Sequence, residues 1–170
     1  VNTLDELIDW SKREIEKEDL KPELLNCRSV ISLILDMYDD LIDAKRINIK
    51  LGQVNQPIVV DSGIYTFMVR NALFSAIELT PQNGTISIET SETDDYVNTI
   101  IHDSGDGFEQ TEIEELMEDQ ELPPTSTEDI GIGLNLRTAR KYTDLLNGIF
   151  KIESDPGNGT EIFMGLPKFG

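Results

Sequence analysis

Between Ile64 and Leu79 the chain is mostly apolar, and a helix of that composition has to be buried inside a layered fold. Its polar exceptions are therefore informative. Asn71, Ser75 and Glu78 stand at i, i+4 and i+7 and share one face of the helix. A polar stripe on a buried helix faces either solvent or a site.

The elements around it supply the layers. Glu23 to Asn26 reads as a short edge strand, and Arg28 to Lys45 as an amphipathic helix carrying Val30, Ile31, Leu33, Ile34, Met37, Tyr38, Leu41 and Ile42. Its aspartates, Asp36, Asp39, Asp40 and Asp43, form a solvated face rather than a metal site. Arg46 to Leu51 alternates like a half-buried strand, and Ile58 to Val60 is another, ending at the helix start Asp61-Ser62-Gly63. Thr85 to Thr90 pairs with Tyr96 to His102 across an acidic loop. Gln110 to Asp119 is helical, Gln120 to Ile130 is a loop, and Gly133 to Leu146 is a helix. A last hairpin joins Ile149 to Ser154 with Glu161 to Leu166 through Asp155-Pro156-Gly157-Asn158-Gly159. This order predicts an α/β (α+β) fold, a two-layer sandwich in which helices cover one face of a mixed, mostly antiparallel sheet.

A further helix is predicted from Thr3 to about Leu20, with a Thr3 and Glu6 capping box and a stripe of Leu4, Leu7, Ile8, Trp10 and Ile15. Leu20-Lys21-Pro22-Glu23 ends it. The chain starts without Met and directly in this pattern, as a piece of a longer protein would. At 170 residues it is one domain with a helical appendage, and its net charge of −19 argues against nucleic acid or an anionic membrane as a partner. One cysteine, Cys27, excludes an internal disulfide and fits a reducing compartment. No apolar run approaches the roughly 18 residues of a membrane span, and the N-terminus is no signal peptide.

The strand from Val97 to Ile101 runs into Asp103-Ser104-Gly105-Asp106-Gly107. A carboxylate ending a buried strand puts a polar acceptor in an apolar slot, and the two glycines allow a flat ligand to approach; a bare surface turn has the same composition. Further along stand Gly131-Ile132-Gly133-Leu134, then Gly157-Asn158-Gly159-Thr160. With Arg70 to Thr80, these four segments resemble, in order and spacing, the N, G1, G2 and G3 boxes of the ATP-binding catalytic domain of sensor histidine kinases. That domain belongs to the ATPase superfamily shared with gyrase, Hsp90 and MutL. The resemblance covers nearly the whole chain.

It implies that the domain binds ATP with magnesium and that the loop before Gly133 is a mobile ATP lid. Asp103 would accept a hydrogen bond from the adenine amine, beside Gly105 and Gly107. Gly131, Gly133, Leu134 and Asn135 would bring free N–H groups at a helix start to the phosphates, Asn135 standing where the family usually has another glycine. Arg137, Arg140 and Lys141 either add charge there or form a solvated face. Thr160 completes the ATP-binding set, with Gly157 and Gly159 serving the turn. Asn71 matches the first asparagine of the N box and Ser75 replaces the second, the magnesium ligand; a serine hydroxyl can ligate the metal but is shorter. Glu78 stands where a basic residue is common. His102, the single histidine, is read as a packed strand residue and not as a phosphoacceptor.

On this resemblance residues 1–20 are the tail of the dimerisation helix and 21–170 the kinase-like domain. The implied partners are the dimerisation and phosphoacceptor domain of the parent protein and a response regulator receiver domain, with dimerisation in the full-length protein alone. The implied setting is the bacterial cytoplasm, the parent being membrane-anchored or not. The leading reading is a histidine kinase catalytic domain; the alternative, supported by Ser75 and Glu78, is a degenerate domain that binds or docks without phosphoryl transfer.

Overall fold

The computed structural model describes residues 20–118 and 127–168, with the backbone alone described for residues 127–130. The helix predicted from Thr3 to Leu20 lies almost wholly outside the described residues. In chain order the elements are β1 (Pro22–Asn26), α1 (Cys27–Met37), α2 (Asp39–Lys45), β2 (Asn48–Leu51), β3 (Pro57–Asp61), α3 (Ser62–Leu79), β4 (Thr85–Glu92), β5 (Tyr96–Asp103), α4 (Gln110–Met117), α5 (Thr127–Leu145), β6 (Ile149–Ser154) and β7 (Thr160–Pro167). A five-stranded sheet has the order β2-β4-β5-β7-β6, and β1 pairs with β3 in a separate two-stranded sheet. β2 runs parallel to β4, while the other neighbours are antiparallel. This is the mixed, mostly antiparallel arrangement that the element order predicts.

α3 organises the helical layer. Tyr65, Met68, Val69, Ala72, Leu73, Ala76 and Ile77 are all buried, as its composition demands. It packs on β5 and along α5. Alternation on β5 sends Val97, Thr99, Ile101 and Asp103 into this interior. Tyr65 is anchored there by a hydrogen bond between its hydroxyl and Thr99 Oγ1 at 2.9 Å. The opposite face of the sheet is open, and along it lie Ser87, Glu89, His102 and Glu161. His102 is exposed on that face, its ring nitrogen 3.2 Å from Asn158 O, so it is not packed as its strand position suggested. The neighbouring residues Ile101 and Asp103 take the buried side, which leaves His102 the solvent side.

The helix predicted over Arg28 to Lys45 is broken at Tyr38 into α1 and α2. Tyr38 turns its ring onto Phe74 of α3, with centroids 5.2 Å apart, and its hydroxyl accepts from Arg70 Nε at 2.9 Å. That docking outweighs one turn of helix continuity, which periodicity alone cannot foresee. At the far end of α2, Lys45 Nζ donates to Ile77 O, Glu78 O and Thr80 O. These are carbonyls that the end of α3 leaves unpaired, and a cation also suits that end of the helix dipole. Among the described residues no helix is long and apolar enough to cross a membrane.

Because Leu73 is fully buried in the middle of α3, Leu73→Ala leaves a cavity between the helices and the sheet. The expected loss is about 3 kcal/mol in urea unfolding, within the range for buried leucines.

Candidate functional site

Asp103 ends β5 and is 1% exposed. Its Oδ1 accepts the N–H of Gly105 at 2.8 Å. Its Oδ2 is buried and, among the described residues, has no hydrogen-bond partner. Burial pushes this carboxyl above the usual aspartate range, although the N–H groups of Gly105 and Thr160, and then the charge of His102, pull it back. Leaving such an acceptor unpaired costs on the order of 1–3 kcal/mol, so this oxygen suits a hydrogen-bond donor from outside the chain.

The backbone around Asp103 is braided from two loops. Gly105 sits against the end of α3, where a Cβ would meet Leu79 O at 2.5 Å. Gly107 has φ +74°, and a Cβ there would lie 2.1 Å from Asp155 O. Gly159 has φ +76° and would clash with Asp103 O at 1.9 Å. Gly157 N–H donates to Asp106 O at 2.7 Å. At Gly107 and Gly159 only glycine satisfies both the left-handed backbone and the close approach. The G1-like and G3-like segments, far apart in sequence, are thus one unit. Thr160 is buried beside it, and Ser154 hydrogen-bonds into both loops. Ser154 carries no signal in the sequence, since a serine at a strand end is ordinary.

The stripe on α3 divides. Asn71 and Ser75 are buried, whereas Glu78 is exposed. Asn71 Nδ2 donates to Phe67 O at 2.7 Å, and Ser75 Oγ donates to Asn71 O at 3.0 Å. Both are bonds to the preceding helical turn. The planar carboxamide of Asn71 directs Oδ1 away from the carbonyl its nitrogen holds, so that oxygen suits a hard cation. Ser75 is fully buried with its hydroxyl turned into its own helix, and a metal would have to displace that arrangement. Glu78, standing where a basic residue is common, is exposed, so water screens its charge.

The second glycine pair is placed differently from expectation. α5 starts at Thr127, so Gly131 and Gly133 lie inside the helix and do not precede it, as do Leu134 and Asn135. The free N–H groups of the first helical turn therefore belong to residues 127–130 and not to the glycines. Gly133 instead gives room to a side chain: a Cβ there would stand 2.8 Å from Arg137 Nη1 and 3.3 Å from Leu116 O. Arg137 Nη1 donates to Leu116 O at 2.6 Å, and Arg140 Nη2 to Met117 O at 3.0 Å. Both arginines hold the last carbonyls of α4, a role their sequence positions did not announce. Lys141 is exposed.

Residues 61–169 match the family model described as histidine kinase-, DNA gyrase B- and HSP90-like ATPase. The chain belongs to that family. As an ATPase-family domain it is an ATP-binding domain. It is 23% identical to the sensor histidine kinase RcsC of Escherichia coli over 98% of its own length, yet covers 18% of that protein. Of the histidine protein kinase DivJ it covers 28%, so the chain spans well under a third of these relatives. In fold it is similar to full-length ShkA in complex with AMPPNP, at TM-score 0.77 and 18% identity, over 98% of this chain and 34% of that one. It is similar also to the histidine kinase ThkA in complex with the response regulator protein TrrA, at TM-score 0.75 and 21% identity, over 97% and 46% of the two chains.

The raised carboxyl of Asp103 makes a stability prediction. With its folded pKa above the unfolded value near 3.9, ionised Asp103 costs stability above the folded pKa, and the cost fades as pH falls through it. Asp103→Asn is therefore expected to raise the thermal midpoint of the free domain at pH 7, with the gain shrinking towards pH 4. A gain that does not shrink on acidification contradicts a charge origin.

Proposed function

We propose that the chain carries the ATP-binding catalytic domain of a sensor histidine kinase, residues 21–170, behind the tail of a dimerisation helix, residues 1–20. The observation that carries the reading is the unpaired, buried Oδ2 of Asp103. The exocyclic amine of adenine is a donor suited to that oxygen. Guanine presents a carbonyl at the same position and would leave the carboxylate unpaired, which gives selectivity. Gly105 and Gly107 let the loop after β5 pack directly on Leu79 O and Asp155 O, and Thr160 is buried beside Asp103.

The phosphates then extend towards Asn71 and the first turn of α5, ahead of Gly131, Gly133, Leu134 and Asn135. Magnesium, when bound, neutralises charge between the phosphates; Asn71 Oδ1 is the oxygen best disposed to hold it, with Ser75 contributing only if its helix bond opens. The chain's own contribution is positioning and charge complementarity for a phosphoryl group passed elsewhere. Adjacent strand residues point to opposite faces, so His102 looks away from Asp103 and is no acceptor for a nucleotide held there. The acceptor histidine belongs to the dimerisation and phosphoacceptor domain of the parent, and a response regulator receiver domain takes the phosphoryl group onward. The parent dimerises and works in the bacterial cytoplasm or from its membrane. The sensor kinases among its relatives support this assignment.

Two measurements test it. In calorimetry the 170-residue chain is expected to bind ATP, more tightly with magnesium than in a chelator, and Asp103→Asn to weaken binding at least about tenfold, or about 1.4 kcal/mol. Unchanged affinity in that variant removes the assignment. Incubation with radiolabelled ATP is expected to leave the chain without acid-labile phosphohistidine, and labelling at His102 would overturn the placement of the acceptor outside this fragment.

A further inference from the structure

Ser154 ends β6 and pairs directly with Thr160, the first residue of β7. Its hydroxyl is a junction. Oγ accepts the N–H of Phe108 at 2.8 Å, on the loop that follows Asp103. It donates to Gly159 O at 2.8 Å, and it lies 2.9 Å from Thr160 Oγ1. A hydroxyl has one proton, and that proton is committed to Gly159 O, so the Thr160 hydroxyl donates to Ser154. One donor and two acceptor sites are thus all used, on a side chain that is only part-buried.

Two of these partners, Gly159 and Thr160, adjoin Asp103, and the third, Phe108, directly follows Gly107. Gly159 is pressed against Asp103 O, as the 1.9 Å clash of a hypothetical Cβ shows. Gly107 is pressed against Asp155 O and stands near Gly159 O. The N–H of Thr160 faces the Asp103 carboxylate. Ser154 is therefore one residue removed from the carboxylate on the strand side, and it holds Phe108, the residue directly after Gly107, on the loop side. Without its hydroxyl the two loops still share the Gly157 N–H to Asp106 O bond, but the tie at Phe108 and Gly159 is gone.

We propose that Ser154 is a positioning residue for the adenine end of the site, fixing the direction of the Asp103 carboxylate by tying the loop after β5 to the β6–β7 turn. The proposal rests on the adenine reading of Asp103. It concerns a residue outside the glycine motifs, whose hydroxyl ties the loops beside the Gly157 to Asp106 bond.

The test is ADP binding to the 170-residue chain in a chelator, which isolates the adenine end from any metal. Ser154→Ala is expected to lose about tenfold in ADP affinity while still unfolding cooperatively, and to narrow the preference for ADP over GDP. Ser154→Thr keeps a hydroxyl and favours a strand, so it should restore both. If the alanine variant does not fold, Ser154→Cys keeps the shape with a much weaker donor and should show the same narrowing. Amide exchange at Phe108 should be slow in wild type and in Ser154→Thr, and fast in Ser154→Ala. Wild-type-like affinity and preference in the alanine variant overturn the proposal, and so does a threonine variant no better than alanine. Failure of wild type itself to bind ADP, with Asp103→Asn no different, overturns the adenine reading and this role with it.

Discussion

One carboxylate in the interior, paired through one oxygen and unpaired through the other, is the constraint on which the site depends. A buried carboxylate ordinarily finds a partner or takes up a proton. Asp103 is kept half satisfied because the backbone on either side is immobilised: Gly105 against the end of α3, Gly159 against Asp103 O, Gly107 against Asp155 O. No side chain fits at these approaches. The pocket is therefore built from backbone surfaces in contact, and its precision comes from strand pairing more than from side-chain packing.

That pairing reaches back to the middle of the sheet. β5 and β7 are neighbours, and His102 is in register with Glu161, directly beside Asp103 and Thr160. A slip of one residue in this register would exchange the faces of His102 and Asp103. The carboxylate would move to solvent, and the histidine to the interior. The buried sets on β5 and β7, Ile101 and Ile162 among them, hold the register because a slip would expose them too.

The helical layer contributes differently. Along α3 and at the residue that caps its end, Asn71, Ser75 and Thr80 all bond back to carbonyls of the preceding turn. This is how a helix buried on most sides accommodates polar groups without partners elsewhere. It leaves the carboxamide oxygen of Asn71 as the group free for outside chemistry, and it keeps Ser75 within the helix. Lys45 then covers the carbonyls at the C-terminal end, so the helix that meets Gly105 has a fixed terminus.

Local composition and periodicity determined a good deal. The burial of α3, the alternation on β5, the order of strands and helices and the hairpin at Asp155 to Gly159 were legible because each follows from apolar spacing or turn chemistry within a few residues. The burial of Asp103 was legible too, since alternation along an apolar strand puts it on the same side as Ile101. Tertiary structure decided what depends on contacts between distant segments. The break at Tyr38 needed Phe74 and Arg70 opposite it. The continuation of α5 through Gly131 and Gly133 runs against the usual weakness of glycine in helices, and Gly133 there makes room for Arg137 to reach α4. Ser154 acquires its role solely from Phe108 and Gly159 being near it. Sequence reports a residue's chemistry and its neighbours along the chain; which partners face a hydroxyl or a guanidinium is set by the packing of elements many residues apart.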